Sequence, residues 1–93
     1  MPQDNIIPQD SPFLDRPRPI SWVTAFTGKS KQTIYRWEKE NQFPKRIRMG
    51  ANSVAWLESE VRTWLSARIA GKTDKEIQQL VSDMSAERSR TLI

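Results

Sequence analysis

Apolar residues recur at helical spacing in several stretches of this chain, and in one stretch they alternate with basic residues. The first helical stretch opens at Ser21, a good N-cap residue, runs through Trp22–Phe26 and stops around Gly28. Val23 and Phe26 share one face of it. Ser30 then caps a second helix over Lys31–Glu40, with Ile34, Trp37 and the stem of Glu38 facing inward. That leaves Lys31, Gln32, Tyr35 and Arg36 for the outer face near its start. The short link through Gly28 matches a helix-turn-helix connection, where glycine takes positive φ without steric cost. Asn41 or Gln42 ends the second helix, and Phe43-Pro44 turns the chain out of it. Arg46-Ile47-Arg48-Met49 then alternates with the period of a strand. Lys45–Met49 and Ser53–Trp56 are accordingly predicted to pair as a hairpin around Gly50-Ala51-Asn52, a small wing.

A third helix is expected over Glu58–Ile69, with Val61, Trp64, Leu65 and the stem of Arg68 on its buried stripe and Gly71 ending it. Leu57 is placed as a staple residue, and Glu58 and Glu60 suit the positive end of the helix dipole. Thr73-x-x-Glu76 is a capping box opening a last helix, with Ile77, Leu80, Val81 and Met84 in register. A short helix is marginal alone, so this one packs either on its own core or on a second copy of the chain. Ser85–Ile93 reads as frayed. Residues 1–19 hold five of the six prolines, which predicts a flexible arm without regular structure. The arm ties to the domain through Phe13 or Leu14, or reaches a minor groove through Arg16 and Arg18. The chain thus divides into a Pro-rich arm (1–19), a winged helix-turn-helix unit (20–72) and a C-terminal helix with its tail (73–93): mainly α with one small β-hairpin.

Ninety-three residues allow one small domain with a thin core, since such a domain buries only about 60% of its extended-chain surface. Trp22, Phe26, Trp37, Phe43, Trp56 and Trp64 supply most of that core, some at its edge so that indole N–H groups find partners. The chain has neither cysteine nor histidine, which removes disulfides, thiolate chemistry, the commonest metal ligand and the commonest general base. Its carboxylates are scattered, so neither an enzyme nor a cofactor is expected. No signal-peptide pattern and no membrane-spanning run is present, which predicts a cytoplasmic, nucleoid-associated protein without a membrane partner. The formal charge is +4, but residues 21–72 hold ten Lys/Arg against four Glu, whereas both flanks are slightly acidic. A polyanion would meet the middle of the chain.

The residue types there suit double-stranded DNA. A helix N-terminus binds phosphate through free N–H groups and partial charge, and Lys29, Ser30 and Lys31 stand at one. One turn on, Arg36 is the residue type that grips guanine bidentately, and Gln32 the type that grips adenine. Thr33 or Tyr35 can reach a thymine methyl or a phosphate. Lys45, Arg46 and Arg48, with Asn52 at the hairpin tip, suit the neighbouring backbone or a minor groove. Each has a plainer role open to it: Lys29 and Lys31 as solvated turn residues, Arg36 paired with Glu40, Arg46 as a guard against edge aggregation. A rival of another class is a basic interaction module docking an acidic partner, such as a phage antirepressor or a polymerase subunit.

Thr27, Gly28, Ser30, Thr33, Ile34, Tyr35 and Arg36, then Phe43, Pro44 and Gly50, then Val54, Trp56, Glu60, Val61 and Trp64 reproduce a pattern that resembles the AlpA family of phage and prophage regulators. The resemblance covers about half the chain. It implies a fold similar to excisionases and MerR-type DNA-binding domains. It also implies a transcriptional regulator of mobile-element genes, some relatives directing excision by bending DNA beside an integrase. By position, Tyr35 and Arg36 would meet DNA, while Ile34 and Trp56 would be core. Where relatives often carry proline this chain has Leu57, and the arm and the tail after Gly71 exceed the minimal module.

Overall fold

The computed structural model describes residues 15–91. In chain order the elements are β1 (Pro17–Arg18), α1 (Ile20–Thr27), α2 (Lys31–Lys39), β2 (Ile47–Gly50), β3 (Ser53–Leu57), α3 (Glu58–Ile69) and α4 (Asp74–Thr91). The four helices and a three-stranded antiparallel sheet of order β1-β3-β2 are compatible with a small helix-turn-helix domain. Phe13 and Leu14, and residues 1–14 generally, lie outside the described residues, as does the end of the tail.

Local chemistry sets the boundaries. Gly28 sits at φ 73° and closes α1 by donating its N–H to the Thr24 carbonyl at 2.8 Å. Ser30 caps α2, its Oγ accepting the Thr33 N–H at 3.2 Å. Asn41, at φ 62°, ends α2 in the left-handed region that asparagine tolerates. There the N–H of Gln42 reaches the Trp37 carbonyl at 2.7 Å and that of Asn41 the Glu38 carbonyl at 3.1 Å. The reciprocal bonds of a capping box open α4: Thr73 N–H to Glu76 Oε1 at 2.8 Å, and Glu76 N–H to Thr73 Oγ1 at 3.1 Å.

Three expectations are corrected. Helix α1 is capped by Pro19 and already includes Ser21 in its first turn. Residues 15–19 are not structureless: Pro17 pairs with Leu57 and Arg18 with Trp56 along β3. Proline is acceptable there because β1 is an edge strand that needs few donors. The same segment replaces the cap α3 lacks, since Leu57 offers no side-chain acceptor. The Glu58 N–H donates to the Arg16 carbonyl at 2.9 Å, the Ser59 N–H to Asp15 Oδ1 at 3.1 Å, and the Ser59 hydroxyl to Asp15 Oδ2. Finally, α4 does not fray after Met84 but continues as helix to Thr91.

The core joins all four helices and β3. Val23, Ile34, Phe43, Trp56, Val61, Trp64, Ile77 and Val81 are buried, and Trp22, Phe26, Trp37, Tyr35, Leu65 and Met84 pack half-buried around them. Fully burying a side chain of this size contributes about 1.5–3 kcal/mol, so the residues donated by α4 matter to so thin a core. Ile77 and Val81 thus serve the chain's own interior, not a second copy. Polar contacts hold α4 in place as well: Arg88 donates to both oxygens of Glu60 at 2.9 and 2.5 Å and to the Lys45 carbonyl at 2.6 Å. Gln42, buried between α2 and α3, accepts from Arg68 at 2.8 Å and donates to the Asp74 carbonyl at 3.1 Å. No buried side-chain polar atom among the described residues lacks a partner.

Candidate nucleic-acid interface

Helix α2 presents a polar face because its apolar side is used up by the core: Ile34 is fully buried and Trp37 half-buried. On the opposite side Lys31, Gln32, Arg36 and Lys39 are exposed, and Lys29 and Ser30 stand exposed just before them. Spacings of one, four, five and eight residues put Lys31, Gln32, Tyr35, Arg36 and Lys39 on one continuous strip. Arg36 forms no ion pair with Glu40; it and Lys31 stay without a carboxylate among the described residues. Lys29 lies 6.0 Å from the Trp37 ring, a loose contact that leaves its ammonium at the surface. The Ser30 hydroxyl, by contrast, is occupied: it caps α2 and bonds Thr33 Oγ1 at 3.0 Å. What the helix start offers an anion is the backbone N–H groups of Lys31 and Gln32, the orphan donors of any first turn.

Tyr35 and Arg46 are less available than expected. The Tyr35 ring is half-buried and stacks on Trp56 at 6.4 Å, and the Arg46 guanidinium lies 4.4 Å above it. That guanidinium donates through Nε and NH2 to Glu38 Oε1 at 3.0 and 2.5 Å, and the Arg46 backbone N–H adds a bond to Oε2 at 2.9 Å. Trp56 Nε1 donates to the same Oε2 at 2.9 Å. The bonds to Glu38 hold the Arg46 proton more firmly than usual, raising its pKa despite partial burial. Lys45 Nζ is bonded to the Glu38 carbonyl. So Lys45 and Arg46, which the sequence assigns to DNA, also brace the hairpin root against α2, with Arg46 still exposed there. Glu38, expected to bury only its stem, buries its carboxylate and makes it the hub of this joint.

Beyond the joint, Arg48, Met49, Gly50, Ala51, Asn52, Ser53 and Val54 are all exposed. Among the described residues Arg48 reaches only the Gly50 carbonyl, at 3.4 Å. Of the predicted residues the structure therefore gathers Lys29, Lys31, Gln32 and Arg36 on one open face, with Thr33 at its half-buried margin and Arg48 and Asn52 on the neighbouring hairpin. Lys39 was missed, although its place one turn beyond Arg36 was readable from the sequence.

A separate basic cluster lies at α1. Trp22 and Phe26 stack at 4.8 Å with planes 9° apart, Arg18 lying 5.2 Å from the first ring and Arg62 5.2 Å from the second. Glu58 bonds both guanidiniums, at 2.7 Å to Arg18 and 2.8 Å to Arg62. The bond from Arg62, then that from Arg18, lowers the Glu58 pKa below its ordinary value. Arg18, suggested as a minor-groove residue, is thus tied to Glu58 at the domain surface, its side chain 32% exposed.

Four helices with a small antiparallel sheet, and an open cationic helix face beside an exposed hairpin, define a compact domain suited to a polyanionic partner. The sequence profile described as "Prophage CP4-57 regulatory protein (AlpA)" matches residues 20–69, and the chain belongs to that family. It is similar to the uncharacterized protein ORF88 of Enterobacteria phage P4, 44% identical over 50 residues that cover 54% of this chain and 57% of that protein. It is also similar to the DNA-binding transcriptional activator AlpA of Escherichia coli (strain K12), 40% identical over 52 residues that cover 50% of this chain and 74% of that protein. The shared stretch therefore spans little more than half the length of the phage P4 relative. No solved structure matches the chain. Among the described residues no helix is long and apolar enough to cross a membrane, and no cluster of acidic residues is arranged to hold a metal ion.

Proposed function

We propose that this protein is a sequence-specific double-stranded DNA-binding regulator of transcription from a phage or mobile element. The carrying observation is the α2 strip, where Lys31, Gln32, Arg36 and Lys39 are exposed together beside a hairpin whose outer half is also exposed. In this reading the fold works as a winged helix-turn-helix. Helix α2 lies in the major groove, with Arg36 and Gln32 at base edges and Lys29, Lys31 and Lys39 on flanking phosphates. Its first-turn N–H groups take a phosphate, and the hairpin acts as the wing, Arg48 and Asn52 touching the adjacent strand or minor groove. The Escherichia coli relative, a DNA-binding transcriptional activator, supports the same reading. A role as an excision factor beside an integrase extends it, and reconstituted recombination with and without the protein tests that extension.

The direct test is selection of duplexes from a random pool, followed by binding of Arg36→Ala. The substitution is expected to weaken operator binding by about 1–3 kcal/mol and to relax one base position. Unchanged operator affinity would remove α2 as the reader. Binding without sequence preference, together with capture of one acidic protein, would favour the interaction-module rival instead.

A further inference from the structure

We propose that the tip of the β2–β3 hairpin enters the minor groove and that Met49 wedges between two stacked base pairs there, kinking the duplex. The inference rests on the DNA-reading function above and names the side chain that would bend what α2 reads. Among the described residues three large apolar side chains are exposed, Met49 at 52%, Val54 at 38% and Ile69 at 78%, and two of the three stand on this one hairpin. Scattered single apolar residues need no explanation, but two on one short cationic ribbon do.

The backbone gives Met49 a particular position. Arg48 pairs with Val54 and Gly50 with Ser53, so the register slips between them and Met49 has no partner across the ladder. Such a bulge re-aims a side chain out of the regular pleat. Strand β2 is also an edge of the sheet, so among the described residues no further strand flanks the hairpin on that side. The neighbours fit the same ligand: Arg48 and Asn52, both exposed, are residue types that read the minor groove, and methionine is among the apolar types that insert between base steps. Its unbranched thioether chain is slim and adaptable enough to slide between bases. The hairpin root is rigid, because Glu38 binds Arg46 and Trp56 and Arg46 lies on Tyr35 of α2. A wedge fixed to the reading helix in this way imposes its angle on the DNA.

The experiment measures end-to-end distance by fluorescence transfer on selected operator duplexes bound to the full chain, to Met49→Leu and to Met49→Ser. The wild type and Met49→Leu are expected to bend the operator alike, and Met49→Ser to leave it nearly straight. Affinity of Met49→Ser is expected to fall about tenfold on the intact duplex, but less than about threefold when a mismatch already unstacks the kinked step. Because Met49 is exposed, thermal unfolding should be the same in all three proteins. Bending by Met49→Ser equal to wild type, or a straight wild-type complex, overturns the wedge. If Arg36→Ala still relaxes specificity in that case, the DNA-reading function stands without it. Absence of any sequence-preferring complex overturns both.

Discussion

Helix α2 carries three cations and helices α3 and α4 together five, and the two sets are chemically different in the fold. Every arginine of α3 and α4 is ion-paired: Arg62 with Glu58, Arg68 with Asp74, Arg88 with Glu60 and Arg90 with Glu87. On α2, Lys31 and Arg36 have no carboxylate partner among the described residues, and Glu38, the one buried acid of that helix, is taken by Arg46. Net charge therefore says little about where a polyanion docks. What counts is charge whose counterion must come from outside, because only that charge displaces salt from DNA on binding.

Breaking the braces should expose this difference most strongly. Ile77→Ala removes a fully buried α4 side chain from the shared core and is expected to cost about 2–5 kcal/mol by urea titration, without changing the oligomeric state. Glu38→Ala leaves the Trp56 indole and the Arg46 guanidinium without their acceptor. Because Arg46 is partly solvated, the loss should lie near the low end for a broken buried pair, about 2–4 kcal/mol, with a matching fall in thermal midpoint. A still smaller effect sharpens the contrast directly. Lys31→Ala should flatten the salt dependence of operator binding by about 0.9 in log–log slope, whereas Arg62→Ala should leave it unchanged. Equal slopes for the two variants would erase the distinction drawn between the regions.

The smallest expected effect is a pH dependence. Glu58 has its folded pKa lowered by Arg62 and Arg18, so its contribution is present above the ordinary value of 4.5 and is lost as pH falls through the folded value. Half-exposed pairs of this kind contribute below about 1 kcal/mol. Glu58→Gln should accordingly remove a shallow part of the acid limb of the stability curve and leave neutral stability slightly reduced.

Elements governed by local chemistry were legible in the chain. Ser30, Gly28 and the Thr73–Glu76 box marked helix ends because caps act within a few residues. The alternation around Ile47 marked the hairpin for the same reason. What escaped is non-local. Pro17 and Arg18 look structureless until β3 is present to pair with them, and Asp15 becomes a cap only when α3 is beside it. The inward role of the Glu38 carboxylate depends on Trp56 and Arg46 arriving from later in the chain. The site divided along the same line. Lys31, Gln32 and Arg36 follow from helical geometry alone, whereas the tie of the exposed Arg46 to Glu38 and the half-burial of Tyr35 needed tertiary contacts. Arg88 was readable in one respect: it continues the Ile77, Val81, Met84 stripe by one turn, but as a charge it did not register as a core-facing anchor.

The Asp15 carboxylate closing the start of α3 has a practical corollary for anyone cutting this protein down to its family-matched span. A fragment of residues 20–69 would carry α2 and the hairpin, yet would lack the strand along β3, the acid that seals α3, and the two α4 side chains in the interior. The recognisable motif is thus smaller than the folding unit, and transplanting it as a folded module requires grafting from Asp15 through at least Arg88.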